Sequence, residues 1–240
     1  MPRYFIEVTY KGTNYAGFQI QENANTIQAE VEKALLIFYK QKIELTGSSR
    51  TDAGVHARQN FFHFDTEVTI NEDVYNLNAI LPWDIVINKI CKVASNSHCR
   101  FDATTREYHY YIYQQKNPFF QGIAYFVPYN INIELMQMAA KEVMGYTDFT
   151  SFSKKNTQVT SFNCTIFLSE WVQESNCLVY KVKANRFLRG MVKGLVGTML
   201  LIGKRKITIQ EFKKIIESRD CTKADFSVSS YGLFLHEVIF

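Results

Sequence analysis

The hardest constraint on how this chain folds lies between Phe187 and Ile202, F-L-R-G-M-V-K-G-L-V-G-T-M-L-L-I. Wound as a helix, this stretch is apolar almost all the way round, so it has no face to give to water and must be enclosed by other elements. It is too short to cross a bilayer, which takes about 20 apolar residues. The chain therefore has to wrap it, and 240 residues are enough to bury a core of that kind. Gly190, Gly194 and Gly197 interrupt the stretch, and Gly203 is placed to end it.

The wrapping elements are legible as an alternation of strands and helices. Tyr4 to Tyr10 alternates and is rich in aromatic and β-branched residues, the pattern of a strand. Asn25 with Gln28 predicts a cap for a helix whose face is Ile27, Val31, Leu35 and Phe38. A short strand over Ile43 to Leu45 leads to a polar loop, and Asn60 to Asp65 returns as a strand. Val74, Leu77 and Ile80 have helical spacing up to Pro82, and Ile85 to Val93 is again a strand. The order is β-α-β-β-α-β, the ferredoxin-like arrangement.

The order recurs from Glu107. Tyr108 to Tyr113 is an aromatic strand, and Asn132 caps a helix with Ile133, Met136, Ala140 and Val143 inward. Strands follow at Phe162 to Gln173 and Cys177 to Ala184, joined by E-S-N. After the apolar helix, Thr208 and Glu211 make a capping box ahead of Phe212, Ile215 and Ile216, and Leu233 to Phe240 is the last strand. No Pro-, Gly- or Ser-rich linker divides the halves. The expectation is an α+β fold of two ferredoxin-like lobes, residues 1–105 and 106–240, sharing a mostly antiparallel sheet with helices on one side and a cleft where the lobes meet.

Chemistry concentrates in G-S-S-R-T-D-A-G-V-H-A, Gly47 to Ala57. Asp52 stands between Arg50 and Gly54, a setting for a tight polar loop, and a carboxylate beside a fixed guanidinium stays ionised. Read alone, Asp52 is a turn residue or a catalyst. Tyr108, in R-E-Y-H-Y, is a half-buried strand residue or a base-stacking one. Lys193, on the apolar helix, is costly to bury without a partner, so either it reaches solvent or it pairs with a carboxylate.

Other classes find less support. The five cysteines, Cys91, Cys99, Cys164, Cys177 and Cys221, are odd in number and contain no C-x-x-C, which points to thiols in a reducing compartment rather than to disulfides. The opening M-P-R-Y-F-I-E-V reads as strand, not as signal peptide, so a cytoplasmic protein is expected. No His/Cys/carboxylate group has metal-ligand spacing, and no phosphate-cradling or dinucleotide loop is present, so neither metal nor cofactor is expected. His56 and His63 read as hydrogen-bonded structural histidines. The formal charge of +4 permits an acidic partner, and 14 Tyr and 19 Phe supply faces on which bases can stack.

Taken together, these segments resemble the TruA family of tRNA pseudouridine synthases. R-T-D-A-G-V-H matches its signature loop and R-E-Y-H-Y its R-x-Y-x-Y, while F-L-R-G-M-V-K-G-L-V-G matches a segment in which the family carries M-V-R. Y-K-G-T-N-Y-A-G-F-Q, L-N-A-I-L-P, S-H-C-R-F-D-A and G-Y-T-D-F-T-S-F resemble further family segments in the family's order, from Tyr4 to Leu235. Departures are Ser49 for glycine, Asn60 for glutamine, Cys99 for alanine and Lys193 for arginine.

The resemblance implies isomerisation of uridine to pseudouridine at tRNA positions 38, 39 and 40, by a homodimer without cofactor or membrane. It implies that Asp52 is the catalytic carboxylate, that Tyr108 stacks on the target base and assists at C5, and that Lys193 stands in for the arginine paired with Asp52. Arg189, one turn earlier, is a second cation able to compensate. Arg50, Arg58, Arg106, Arg189 and His56 are the expected substrate contacts. Two further readings stay open: an RNA-binding protein that has lost catalysis, and a paralogue acting on other uridines.

Overall fold

The computed structural model describes residues 1–155 and 159–240. The first half contains β1 (Arg3–Tyr10), α1 (Ile27–Tyr39), β2 (Thr46–Gly47), β3 (His56–Asp65), α2 (Tyr75–Ile80) and β4 (Ile85–Val93). The second contains β5 (Thr105–Tyr113), β6 (Tyr125–Phe126), α3 (Ile133–Val143), β7 (Ile166–Glu174), β8 (Cys177–Ala184), α4 (Met191–Gly203), α5 (Ile209–Glu217) and β9 (Leu233–Ile239). Two compact units result, residues 1–104 with 234–240 and residues 105–233. The class is α+β with mostly antiparallel strand pairing. Among the described residues no helix is long and apolar enough to cross a membrane.

In the first unit β1 lies between β3 and β4, antiparallel to both. β2 adds to β3 antiparallel, and β9 pairs with β3 in parallel through His56–Phe234 and Ala57–Leu235. Ile6, Val8 and Phe62 are fully enclosed, and Phe18 stacks on Phe62 with ring centroids 4.3 Å apart. α1 buries Ile27, Val31 and Leu35 as expected, with Ala34 beside them, while Phe38, expected on the same face, is only half-buried. Its cap is Thr26, whose hydroxyl accepts from Ala29 N, one residue beyond the expected Asn25.

The strand expected at Ile43–Leu45 does not form there. Leu45 gives its amide to Glu32 Oε1, and its carbonyl accepts from Gln28 Nε2, so side chains of α1 take the groups that a ladder would use. Pairing begins at Thr46 instead. β3 also starts earlier than expected, at His56 rather than Asn60.

In the second unit β8 lies between β5 and β7, antiparallel to each, and the two-residue β6 pairs with β5 in parallel. Asn132 and the Thr208–Glu211 box cap α3 and α5 as expected. β7 begins at Ile166, not Phe162, because the preceding residues pair elsewhere: Phe162 O accepts from Phe149 N, and Cys164 N donates to Thr147 O. α4 is enclosed over nearly its whole surface. A Cβ at Gly197 would sit 2.1 Å from Asp225 O, so the helix presents a smooth face there to let the 225–226 backbone close over it. Its start is later than expected. Gly190 takes φ +77°, a left-handed conformation, and the helix runs only from Met191.

Candidate active site

The 47–57 segment is a loop held from beneath by a buried polar cluster. Asn60, fully enclosed on β3, uses its side-chain amide as a strand would use its backbone. It accepts from Ser49 N at 3.2 Å and donates to Ser49 O at 2.9 Å. Its Oδ1 accepts also from Phe61 N, and its Nδ2 reaches the hydroxyl of Tyr10, which bonds Thr51 Oγ1 at 2.7 Å. Residues on both sides of Arg50 are thereby pinned, and Arg50 itself points to solvent. Replacing Asn60 by leucine, similar in size, strands the buried amide and carbonyl of Ser49. We expect a loss of about 2–4 kcal/mol in denaturant unfolding; a loss below about 1 kcal/mol would mean that the loop is held by other contacts.

Asp52 follows immediately and is half-buried. Its carbonyl accepts from Val55 N at 3.2 Å, closing a four-residue turn with Gly54 third at φ +77°. That is the type II signature, and it explains the glycine two residues after the carboxylate. Gly12 lies against the far end of the turn, with its amide donating to His56 Nδ1 at 3.0 Å. A Cβ on Gly12 would meet Val55 O at 2.0 Å, so only glycine lets this approach occur.

His56 is expected among the substrate contacts, but it is 0% exposed and stacks on Phe234 at 4.4 Å. With Nδ1 accepting, its ring proton lies on Nε2, and its role is to tie Gly12 and β9 to the loop. Arg58 is exposed, its guanidinium 5.9 Å above the Phe234 ring. The roles of Asn60 and Gly12 as supports of the loop are not legible from the sequence alone. The Y-K-G-T-N-Y motif was the available signal, and its chemistry is mute until the fold shows what approaches Gly12.

The second unit carries the other expected residues. Tyr108 sits on β5 opposite Val182 of β8 and is half-buried, its ring meeting Phe187 edge to face at 4.9 Å. Tyr110, two residues on, is a core residue. Its hydroxyl donates to Ser229 O, and burial pushes its pKa far above the ordinary phenol range. Arg106 donates to Asn185 O at 3.1 Å.

Lys193 is the single charged residue of α4 and lies partly exposed between buried neighbours, donating to Ser230 Oγ at 3.3 Å. Arg189 is exposed and lies outside α4, with Gly190 turning the chain between it and Lys193. The two cations are therefore not one helical turn apart, and the compensation expected of Arg189 loses its helical basis. Of the basic run, Lys204 sits 4.6 Å above the Tyr129 ring, and Arg205 and Lys206 face solvent.

The first unit holds a half-buried carboxylate on a turn fixed from beneath, and the second a half-buried tyrosine and basic side chains, residue types suited to chemistry on an extruded base in a polyanion. A profile of the family described as tRNA pseudouridine synthase matches residues 6–102 and 139–240. The tRNA pseudouridine synthase A of Parabacteroides distasonis is 43% identical over 243 aligned residues, covering 100% of this chain and 96% of the relative. That of Bacteroides fragilis is 42% identical, covering 98% and 95%. That of Staphylococcus aureus is 37% identical, covering 98% and 90%.

Proposed function

The chain belongs to the tRNA pseudouridine synthase family, and on that premise we propose that it isomerises the uridines at tRNA positions 38, 39 and 40, in the anticodon stem-loop, with Asp52 as the catalytic carboxylate. Membership makes it an isomerase acting on tRNA uridine. The choice of positions is supported by the run of motifs from Tyr4 to Leu235, and the role of Asp52 by its half-exposed place at the head of the Gly54 turn, next to the residues that the Asn60 cluster pins.

The reaction breaks the N1–C1′ bond, turns the uracil, joins C5 to C1′ and releases the C5 proton. It is redox-neutral. Asp52 serves either by attacking C1′, giving an ester that C5 later displaces, or by removing the 2′ proton to give a glycal. Lys193 stands in for the arginine that the resemblance pairs with Asp52, though without its bidentate fork. Arg50 helps to extrude the nucleotide, and Arg58, Arg106 and Arg189 meet phosphates, so binding weakens steeply with salt. Tyr108 replaces the stacking that the flipped base loses, worth about 1–3 kcal/mol. Tyr108→Phe should keep tRNA affinity and Tyr108→Leu should weaken it roughly tenfold or more; equal affinities for the two would remove the stacking role.

The protein works as a cytoplasmic homodimer, with one tRNA leaning on both subunits. Sedimentation finding only monomer at micromolar concentration counts against this assembly. The test of the function is tritium release from tRNA labelled at C5 of uridine, followed by carbodiimide mapping of the products. Release with pseudouridine at positions 38–40 is the expected result. Release at other uridines makes the protein a paralogue of different specificity, and tRNA binding without release makes it a binding protein with Lys193 marking a dead site.

A further inference from the structure

We propose that His63, His98 and Cys99 form a zinc site that clips the loop after β4 onto β3. Sequence spacing shows no such site, because the first ligand comes from one strand and the other two from a loop more than thirty residues later. The fold brings them together. Their ligand atoms all lie within 4.8 Å of one another, with His63 Nδ1 3.1 Å from Cys99 Sγ and the two imidazole rings edge to face at 4.5 Å. All three belong to the first unit.

Two imidazoles and a thiolate are a zinc donor set, whereas magnesium and calcium demand oxygens. Bonds of about 2.0–2.1 Å to nitrogen and about 2.3 Å to sulfur put tetrahedral ligands roughly 3.5 Å apart, so closing the cluster takes side-chain shifts of about an ångström. Cys99 and His63 are buried and His98 is partly exposed, so the ion enters past His98, and water takes the fourth position on that side. Binding exchanges contacts that the ligands make now. The Cys99 thiol, 3.3 Å from Thr46 O, loses its proton to solvent as the thiolate binds zinc, so uptake releases a proton. His98 Nδ1 now accepts from Arg100 N, and that amide, on an exposed residue, turns to water.

Cys99 stands where the matching family segment has alanine, so the site is a property of this chain rather than of the motif. Its effect is to hold the segment that displays Arg100 and the 73% exposed Phe101 in one conformation.

The test uses the full chain, stripped with chelator and titrated with Co²⁺ as a spectroscopic stand-in for Zn²⁺. Wild type is expected to bind one equivalent, with intense four-coordinate visible bands and a thiolate charge-transfer band that Zn²⁺ bleaches, and excess Zn²⁺ should raise its unfolding midpoint by about 5 °C or more. Cys99→Ala and His98→Gln should show neither the charge-transfer band nor the shift. Absence of the band in wild type overturns the proposal, as does a band or shift that survives Cys99→Ala. None of these readouts depends on isomerase activity.

Discussion

Asp52→Asn will lower tritium release from C5-labelled tRNA by roughly 10⁴-fold or more, the scale on which removing one essential catalytic group acts. Asparagine keeps the size of the side chain, and the backbone bond that Asp52 contributes, its carbonyl accepting Val55 N, is indifferent to the change. The turn and the melting temperature should therefore be unaltered. Binding should stay level or tighten slightly, because a negative charge facing a polyphosphate is removed. This split between lost turnover and kept affinity separates a catalytic carboxylate from a turn residue. Full turnover by the asparagine variant would dismiss Asp52 and, with it, the roles given to Lys193 and Tyr108.

The second large effect is expected at Lys193. Methionine at this position suits an otherwise apolar helix, so Lys193→Met should fold at least as stably as wild type. If the ammonium supports Asp52 as proposed, its loss removes a charge-assisted interaction of about 3 kcal/mol and slows release roughly a hundredfold. Lys193→Arg, which restores the family's fork, should match or exceed wild type. A methionine variant within a few-fold of wild type would leave Lys193 as a solvated edge residue bonded to Ser230.

Where the sequence spoke plainly, the deciding interactions were local. Ile85–Val93 and Cys177–Ala184 carry β-branched and aromatic residues between turn signals, and β4 and β8 have those bounds. Asn132 and Thr208 cap the helices that follow because an Ncap needs only its own next three residues. The Ile43–Leu45 segment is as strand-like in composition, yet its fate lies with Glu32 and Gln28, residues of a preceding helix that no periodicity connects to it. The same division runs through the site. Asp52, Arg50 and Gly54 were legible because a turn signs itself in sequence. Asn60 as clamp, His56 as an enclosed tie and the His63–His98–Cys99 cluster were not, since each depends on a partner from a distant strand or loop.

The parallel pairing of β9 with β3 has a consequence for how the molecule is made. Residues 1–104 leave the ribosome early, but the strand that completes their sheet is not translated until residues 105–233 have been. At about 5–20 residues per second, that interval is on the order of ten seconds. Through it the nascent first unit presents an open strand edge beside His56, the side chain that braces the Asp52 loop. A message that terminates prematurely anywhere in the second unit thus yields an incomplete first unit too, and its exposed edge marks the fragment for chaperones and proteases rather than for tRNA.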